Sequence, residues 1–499
     1  MTQFLFQPER IQDARSGVAQ MCANIEICDT IAATLASTLG PHGLDKLFYG
    51  KKLLLTNDGA TILENMSFKH PVAKMLASLS KSQDNEVGDG TTSVVLLTSY
   101  ILNGLKPLLM EGFPASTIKK VLKEARISSI EKLRSLKIEF TEENLLKLAE
   151  TSLNSKNVRN YKSHFAQLLV QGLSCEDDLQ IQKIQGGSLK DSFLVDGVAF
   201  EKTFTYAGYE QQPKKIVNPK ILCANIELEW KSERENAELK ISSIEEYQKM
   251  VDSEWKIIKD KLDDIVQSGA KVVLSSLPIG DYATQYFAAN GIFSAGRVKD
   301  LDGIIKACGG KITSSTKFIS LGSCDLFEER QLGNVRYNYF ESKAAKSHTL
   351  ILRGPGNEVL DEVERAVHDA ICVIRTTLKH KQIVCGGGST EMELSKHFRD
   401  VAFSVGNEEM FVYKAISKAF ERIPSQLATN FGLDPILNLQ NLRKSHSENA
   451  YAGVSLTGVE DMTAIGVFEP LEVKINMIKA AFNAAETVVK IDSTIISKK

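Results

Sequence analysis

Apolar positions recur at helical spacing through the first third of the chain. Val72, Leu76 and Leu79 form one stripe, and Ile118, Val121, Leu122, Ala125 and Ile130 form another, which predicts amphipathic helices. Pro41 and Gly43, Gly88 and Gly90, and the stretch around Pro107, Gly112 and Pro114 punctuate the pattern, so short loops should join the helices. From about residue 208 to 360 the rhythm changes. KVVLSS (271–276), IFSAG (292–296), KITSS (311–315) and HTLILRG (348–354) read as strands separated by helical stretches, the pattern of an α/β domain. Between them Trp255, Ile258, Leu262, Ile265 and Val266 share a helix face, with Gly269 at the expected stop. A long amphipathic helix begins near 357 and carries Val359, Leu360, Val363, Val367, Ala370 and Ile374. Strand-like IVCGGG (383–388) follows, and the final hundred residues return to helix. The segment EWKSERENAELKISSIEEYQKMVD (229–252) is too charged for a buried strand. It reads either as a charged surface helix or as a projection used for contacts.

Composition narrows the class. At 499 residues, a prior of roughly 150 residues per domain suggests about three domains. Lys plus Arg is 60 and Asp plus Glu is 62, a net charge of -2, which gives no global electrostatic case for a nucleic-acid partner. Hydrophobic residues at 43% and charged residues at 24% are ordinary for a globular protein and exclude fibrous and low-complexity readings. No uncharged apolar run approaches the roughly 18 residues of a membrane span. The start, MTQFLFQPER, lacks the order of a signal peptide. A cytoplasmic protein with no membrane partner is the expectation. The eight cysteines are scattered without a Cys-x-x-Cys pair, which predicts reduced, mostly buried thiols.

Three loops have the composition that phosphate binding needs: glycines for close backbone approach, hydroxyls as donors and carboxylates for a divalent cation. TLGPHGLDK (38–46) makes a tight turn whose amides could face a polyanion or simply cap a helix. TNDGATI (56–62) could serve phosphate or be a hairpin turn. EVGDGTTSVVLL (86–97) is more telling, because Thr91, Thr92 and Ser93 occupy the first turn of an apolar helix directly after a Gly-Asp-Gly bend. Unpaired amides and the positive dipole end favour phosphate there, and Asp89 beside them can carry Mg²⁺. Neither G-x-x-x-x-G-K-[ST] nor a strand-bounded G-x-G-x-x-G is present.

TLGPHG, NDGAT, GDGTTS, His368-Asp369-Ala370 and VCGGGSTEMELS (384–395), in this order and spacing and with FEPLEVKINMI (468–478) near the end, resemble the group II chaperonins over essentially the whole chain. KIQGGSLKDSFLVDGVAF (183–200), YAGYEQQPKK (206–215) and LPIGDYATQYFA (277–288) look like subunit-specific stretches of the eukaryotic cytosolic chaperonin within that family. The resemblance implies a multidomain α and α/β chaperonin-type fold. Its helical equatorial domain would be split between residues 1–138 and 401–499, its hinge-like intermediate domain between 139–207 and 361–400, and its α/β apical domain with a helical protrusion would span 208–360. It also implies an ATPase subunit in a hetero-oligomeric double ring of eight-membered rings that binds unfolded polypeptides and closes a lid on hydrolysis. A homo-oligomeric archaeal-type subunit and a stand-alone phosphotransferase are the alternatives.

By the same resemblance Thr38, Leu39, Gly40 and Pro41, with Gly90, Thr91, Thr92 and Ser93, wrap the phosphates, and Asp89 is the Mg²⁺ ligand. Asp58 lies near the γ-phosphate as a catalytic group. Asp369 orients and partly deprotonates the attacking water, and Lys156 in TSLNSK senses the γ-phosphate. Gly387 and Glu469 line the base and ribose end. Client contact falls on apical helices near Asp281–Asn290 and Lys299–Cys308, where Tyr282, Gln285 and Tyr286 serve either clients or packing. Ser389 stands where the family most often has Ala.

Overall fold

The computed structural model describes residues 17–49, 53–156, 158–173, 178–203, 206–229, 244–343 and 345–494. The chain divides into two compact units, Met1–Val170 with Asp361–Lys499, and Gln171–Leu360.

The first unit is organised around the helix Thr91–Met110, against which Val18–Ala36, Pro71–Val87, Glu409–Asn430 and Leu471–Val489 pack. Val94, Val95, Leu96 and Leu97 are successive residues pointing all round this helix, and each is 0% exposed. A helix apolar on every side belongs in a core. It is long and apolar enough to cross a membrane by length and composition, and its apolar surface is covered by its neighbours. Phe420 stacks on Phe398 and packs tilted against Phe482, with ring centroids 5.9 and 6.2 Å away, joining three C-terminal helices to this core.

Short strands interrupt the helices, among them the one expected at IVCGGG, which runs from Gln382 to Cys385. Lys46–Tyr49 and Leu53–Thr56 pair antiparallel, with Phe48 opposite Leu54. Gln382–Cys385 lies between Phe468–Pro470 and Ile138–Glu139, and its register sets Val384 opposite Glu469. Ala452–Ser455 and Gly458–Asp461 form a further hairpin.

The second unit has the expected α/β character. Phe293–Ala295, Val272–Ser275 and Lys220–Ala224 run parallel, and Leu321–Ser323 closes the sheet antiparallel. An antiparallel sheet is built from Gly197–Glu201, Val335–Glu341, Leu326–Leu332 and Lys215–Val217. Ser347–Gly354 pairs parallel with Asp178–Gln185 and antiparallel with Phe193–Val195.

The helix expected around Trp255 spans Ile244–Gln267, with Leu262 and Ile265 fully buried and Gly269 in the left-handed region at φ 81°. KITSS is not a strand: only Thr313 makes a bridge, to Ala224, because Ser314 and its successors bend away into a turn. The charged segment 229–252 enters that helix at Ile244, and the choice between surface helix and projection otherwise falls on residues 230–243, which lie outside the described residues.

The two expected client-facing helices are Asp281–Ala289 and Leu301–Cys308. In the first, Ala283, Thr284 and Phe287 pack inward while Tyr282 and Gln285 are exposed. In the second, packing takes Leu301, Ile304, Ala307 and Cys308, leaving Asp302 and Lys306 outside.

Candidate functional site

A cavity of about 360 Å³ in the first unit is lined by Leu39, Gly40 and Pro41, by Asp89, Gly90 and Ser93, and by Gly387 and Glu469. Four segments far apart in sequence thus meet at one place. The turn after Val18–Ala36 is closed by Gly43 N–H donating to Gly40 O at 2.9 Å and Leu44 N–H donating to Ser37 O at 2.8 Å. Asn430 Nδ2 donates to Ala36 O and Leu39 O, at 2.9 and 2.8 Å, fixing this loop to the Glu409–Asn430 helix. Thr38 faces the other way: it is buried, and its Oγ1 donates to Leu35 O at 2.8 Å.

Asn57-Asp58-Gly59 does not form a hairpin turn. Asp58 caps the helix Gly59–Asn65, accepting from Thr61 N at 2.8 Å and Thr61 Oγ1 at 2.7 Å through Oδ2. Its Oδ1 accepts from Thr91 Oγ1 at 2.9 Å. A Cβ on Gly59 would lie 2.6 Å from Thr92 Oγ1, so only glycine lets these two loops interlock. Thr91 and Thr92 therefore hold the loops together rather than line the cavity. Burial would raise the Asp58 carboxyl, but Lys156 and the Thr61 and Thr91 donors hold it below the usual range.

Gly90, at φ 76° and ψ 15°, precedes the 20-residue helix Thr91–Met110 and offers no side-chain cap. The first-turn amides stay open beside the cavity. Asp89 Oδ1 accepts from Gly90 N at 2.7 Å, and Oδ2 takes no protein donor among the described residues. The helix Ser389–Val405 likewise starts after Gly388, at φ 78° with no side-chain cap. Ser389 Oγ donates to Cys385 O at 3.3 Å. Two positive helix ends thus flank one cavity.

Lys156 and Asp369 do not line the cavity; they pair with each other. Lys156 follows the helix Glu142–Asn154, and Asp369 comes from Asn357–His380 and is 9% exposed. Burial pushes the Asp369 carboxyl up to about 8 against the pull of Lys156, with Asp58 and Asp89 adding to the rise. The Lys156 ammonium is raised despite burial, because Asp369, Asp58 and Asp89 surround it. The same segment touches two further loops. Asn57 Nδ2 donates to Ser155 O at 2.5 Å, and Arg159 Nη1 donates to Pro41 O at 3.4 Å.

The model of the TCP-1/cpn60 chaperonin family matches residues 31–499. The chain belongs to that family. Its relatives include T-complex protein 1 subunit eta of Encephalitozoon cuniculi, 53% identical over 509 residues and covering the whole of both chains. The subunit eta proteins of Homo sapiens and Saccharomyces cerevisiae are 44% and 43% identical, each covering 97% of this chain and 93% of the relative. The resemblance to group II chaperonins holds, and the stretches that look subunit-specific agree with the eta name.

Sequence reasoning missed several residues of this chaperonin's cavity. Lys147, Arg159 and Lys162 add positive charge to its wall, and nothing in their spacing marks them. At the Glu469 end, Lys474 Nζ lies 2.7 Å from Glu391 Oε1 and 2.8 Å from Glu469 Oε2. A lysine and a glutamate among the buried positions Val473, Ile475, Met392 and Leu394 were the available signal. No group of three or more His, Cys, Asp or Glu could hold a metal among the described residues. Mg²⁺ needs none, since it binds through one or two carboxylates plus phosphate oxygens, and the open Asp89 Oδ2 beside uncapped amides fits that mode.

Proposed function

We propose that this chain binds Mg²⁺-ATP in the cavity and hydrolyses it, driving lid closure and folding as one subunit of a hetero-oligomeric double ring of eight-membered rings that encloses unfolded polypeptides in the cytoplasm. The observation that carries the reading is the convergence of the Leu39–Pro41 turn, the uncapped Thr91 helix end with Asp89, and Gly387 with Glu469 on one cavity. The open amides at Thr91, Thr92 and Ser93 suit phosphate oxygens, and the exposed backbone of Gly40 lies on the same wall. Asp89 would hold Mg²⁺, which neutralises phosphate charge when bound.

Asp369 is the group that takes the proton of the attacking water, and a raised carboxyl suits that task. Asp58, kept ionised by its donors, holds the phosphate loops in register from beside the site. Lys156 senses the γ-phosphate: an oxygen competing for its ammonium releases Asp369 to the water. The hinge carrying Asp369 would belong to an intermediate domain of 139–207 and 361–400, between equatorial parts 1–138 and 401–499 and an apical domain of 208–360.

Nucleotide titration of the full-length chain with and without Mg²⁺ tests the reading. The parent should bind ATP more tightly with Mg²⁺, and Asp89→Ala should lose about tenfold or more of that affinity, the scale of one charged contact. Equal affinity in the two proteins overturns the ligand role. No ATP binding by a folded parent overturns the nucleotide reading.

A further inference from the structure

Gly88 ends the helix Pro71–Val87 in the left-handed region, at φ 67° and ψ 8°, where glycine is the usual residue. That role needs no close neighbour. Gly112, Gly406 and Gly432 also follow helices at positive φ, and a Cβ on any of them would meet nothing within 4 Å. A Cβ on Gly88 would instead stand inside contact distance of Cys372 Cβ and 2.8 Å from Cys372 Sγ. The backbone of Gly88 thus receives the helix Asn357–His380 with no side chain of its own in between.

What stands on either side gives the contact a consequence. Asp89, next after Gly88, lines the cavity. Cys372 is at i+3 from Asp369 on its helix, so the two share a face, and Val373 beside it reaches the cavity wall. The loop is the stiffer of the two partners. Gly88 N–H donates to Asp84 O at 2.8 Å, Gln83 Nε2 donates to Asp89 O at 3.0 Å, and Ser80 Oγ donates to Thr91 O at 3.1 Å, with Ser80 and Gln83 both buried. These bonds tie the loop to Pro71–Val87 and to the start of Thr91–Met110. The helix carrying Asp369 is therefore the part that yields when the contact is crowded.

We propose that Gly88 and Cys372 are positioning residues: the contact of bare backbone against a short side chain sets how near the Asp369 carboxyl comes to the metal and phosphate at Asp89. This rests on the nucleotide reading above. Carbon and sulfur atoms settle at about 3.5–4.0 Å rather than 2.8 Å, so a methyl at position 88 pushes the helix back by about 1 Å. A misplacement of about 1 Å costs about a hundredfold in a reaction that depends on positioning. Nucleotide binding is spared, because the open amides and Asp89 stay where the loop holds them.

The test is single-turnover ATP hydrolysis in assembled rings, with rings carrying Asp369→Ala in this chain as the floor and ATP affinity measured alongside. Gly88→Ala should lower this chain's share of hydrolysis about tenfold to a hundredfold while its ATP affinity changes less than about threefold. The strain of alanine in the left-handed region is the same whatever stands at 372, so the second site separates strain from contact. G88A/C372G removes both crowded atoms and should recover to within about threefold of C372G alone; G88A/C372A keeps the Cβ and should not recover. Cys372→Leu presses on Gly88 from the helix side without backbone strain, should lose hydrolysis in the same way, and serves where Gly88→Ala does not assemble. Hydrolysis unchanged in Gly88→Ala or in Cys372→Leu overturns the proposal, as do two double variants that behave alike. A loss of ATP affinity as large as the loss of hydrolysis overturns it too, since the loop would then be the part that yields. Failure of the folded parent to bind ATP overturns the nucleotide reading itself, and a parent that binds ATP but hydrolyses no faster than the Asp369→Ala floor overturns the role of Asp369.

Discussion

Two buried lysines of the first unit each sit against carboxylates, and they are built differently. Lys156 lies in a turn just past a helix, and its partner Asp369 belongs to a different helix that resemblance places on a hinge. Lys474 lies in the first turn of a helix, with both partners on elements joined through one small sheet. The charge balance differs as well. Asp369 is raised by burial and by Asp58 and Asp89, whereas Glu391 is lowered because Lys474 outweighs its burial. A carboxyl that readily takes a proton suits chemistry, and one locked as an anion suits architecture. Burying a lysine is costly in either place, so the neighbours decide whether the pair serves as a working part or as a fixed strut.

Substitutions at each end should separate the two. Asp369→Ala should lower single-turnover hydrolysis by this subunit in assembled rings about 10²- to 10⁴-fold, the usual yield of a positioned base, while ATP affinity changes less than about threefold. Unchanged hydrolysis would remove Asp369 from the chemistry. Lys474→Met should cost about 3–5 kcal/mol in denaturant unfolding, because Glu391 is left buried and unpaired. Lys156→Met should cost less, since Asp369 can accept a proton, and an equal loss at both sites would erase the contrast.

The smallest effect is in pH. Glu391 is lowered from 4.5, so its contribution to stability is present above that value and lost as pH falls through its folded pKa. Asp369 is raised from 3.8 to about 8, so its contribution is full below 3.8 and lost as pH rises through about 8. Thermal melts from pH 3 to 9 should therefore flatten at the acid limb in Glu391→Gln and at the neutral limb in Asp369→Asn. The same slope change in both variants would contradict the assignment.

Much of the proposed phosphate end was legible because it is built largely from backbone. Gly40, Gly90 and Ser93 are residue types that announce open amides and tight turns, and they line the cavity. Asp369 was legible only through resemblance, since an aspartate on an amphipathic helix usually faces water. The roles within the loops were less visible. Thr38 and Thr91 turn their hydroxyls to Leu35 O and Asp58, a choice made by three-dimensional neighbours rather than local pattern. Glu391 reads as an ordinary acidic residue at a helix start, and Lys474 as a lone charge in FEPLEVKINMI. Only the sheet register that sets Val384 opposite Glu469 brings them together. The strands Lys46–Tyr49 and Leu53–Thr56 have four residues each, too short for alternation to declare itself, whereas the apolar run of IVCGGG marked Gln382–Cys385.

The core around Thr91–Met110 is assembled from both sides of the second unit in the chain: its partners include Val18–Ala36 before it and Glu409–Asn430 and Leu471–Val489 after it. On the ribosome this order matters. Residues 171–360 emerge whole and can fold as they appear, while the first unit waits until its last helix has been translated. Throughout that interval Ile101, Leu105 and their neighbours lack the Phe420 and Phe482 helices that cover them in the finished protein. During its own synthesis this chain thus exposes the kind of sticky, half-made surface that a chaperonin takes in.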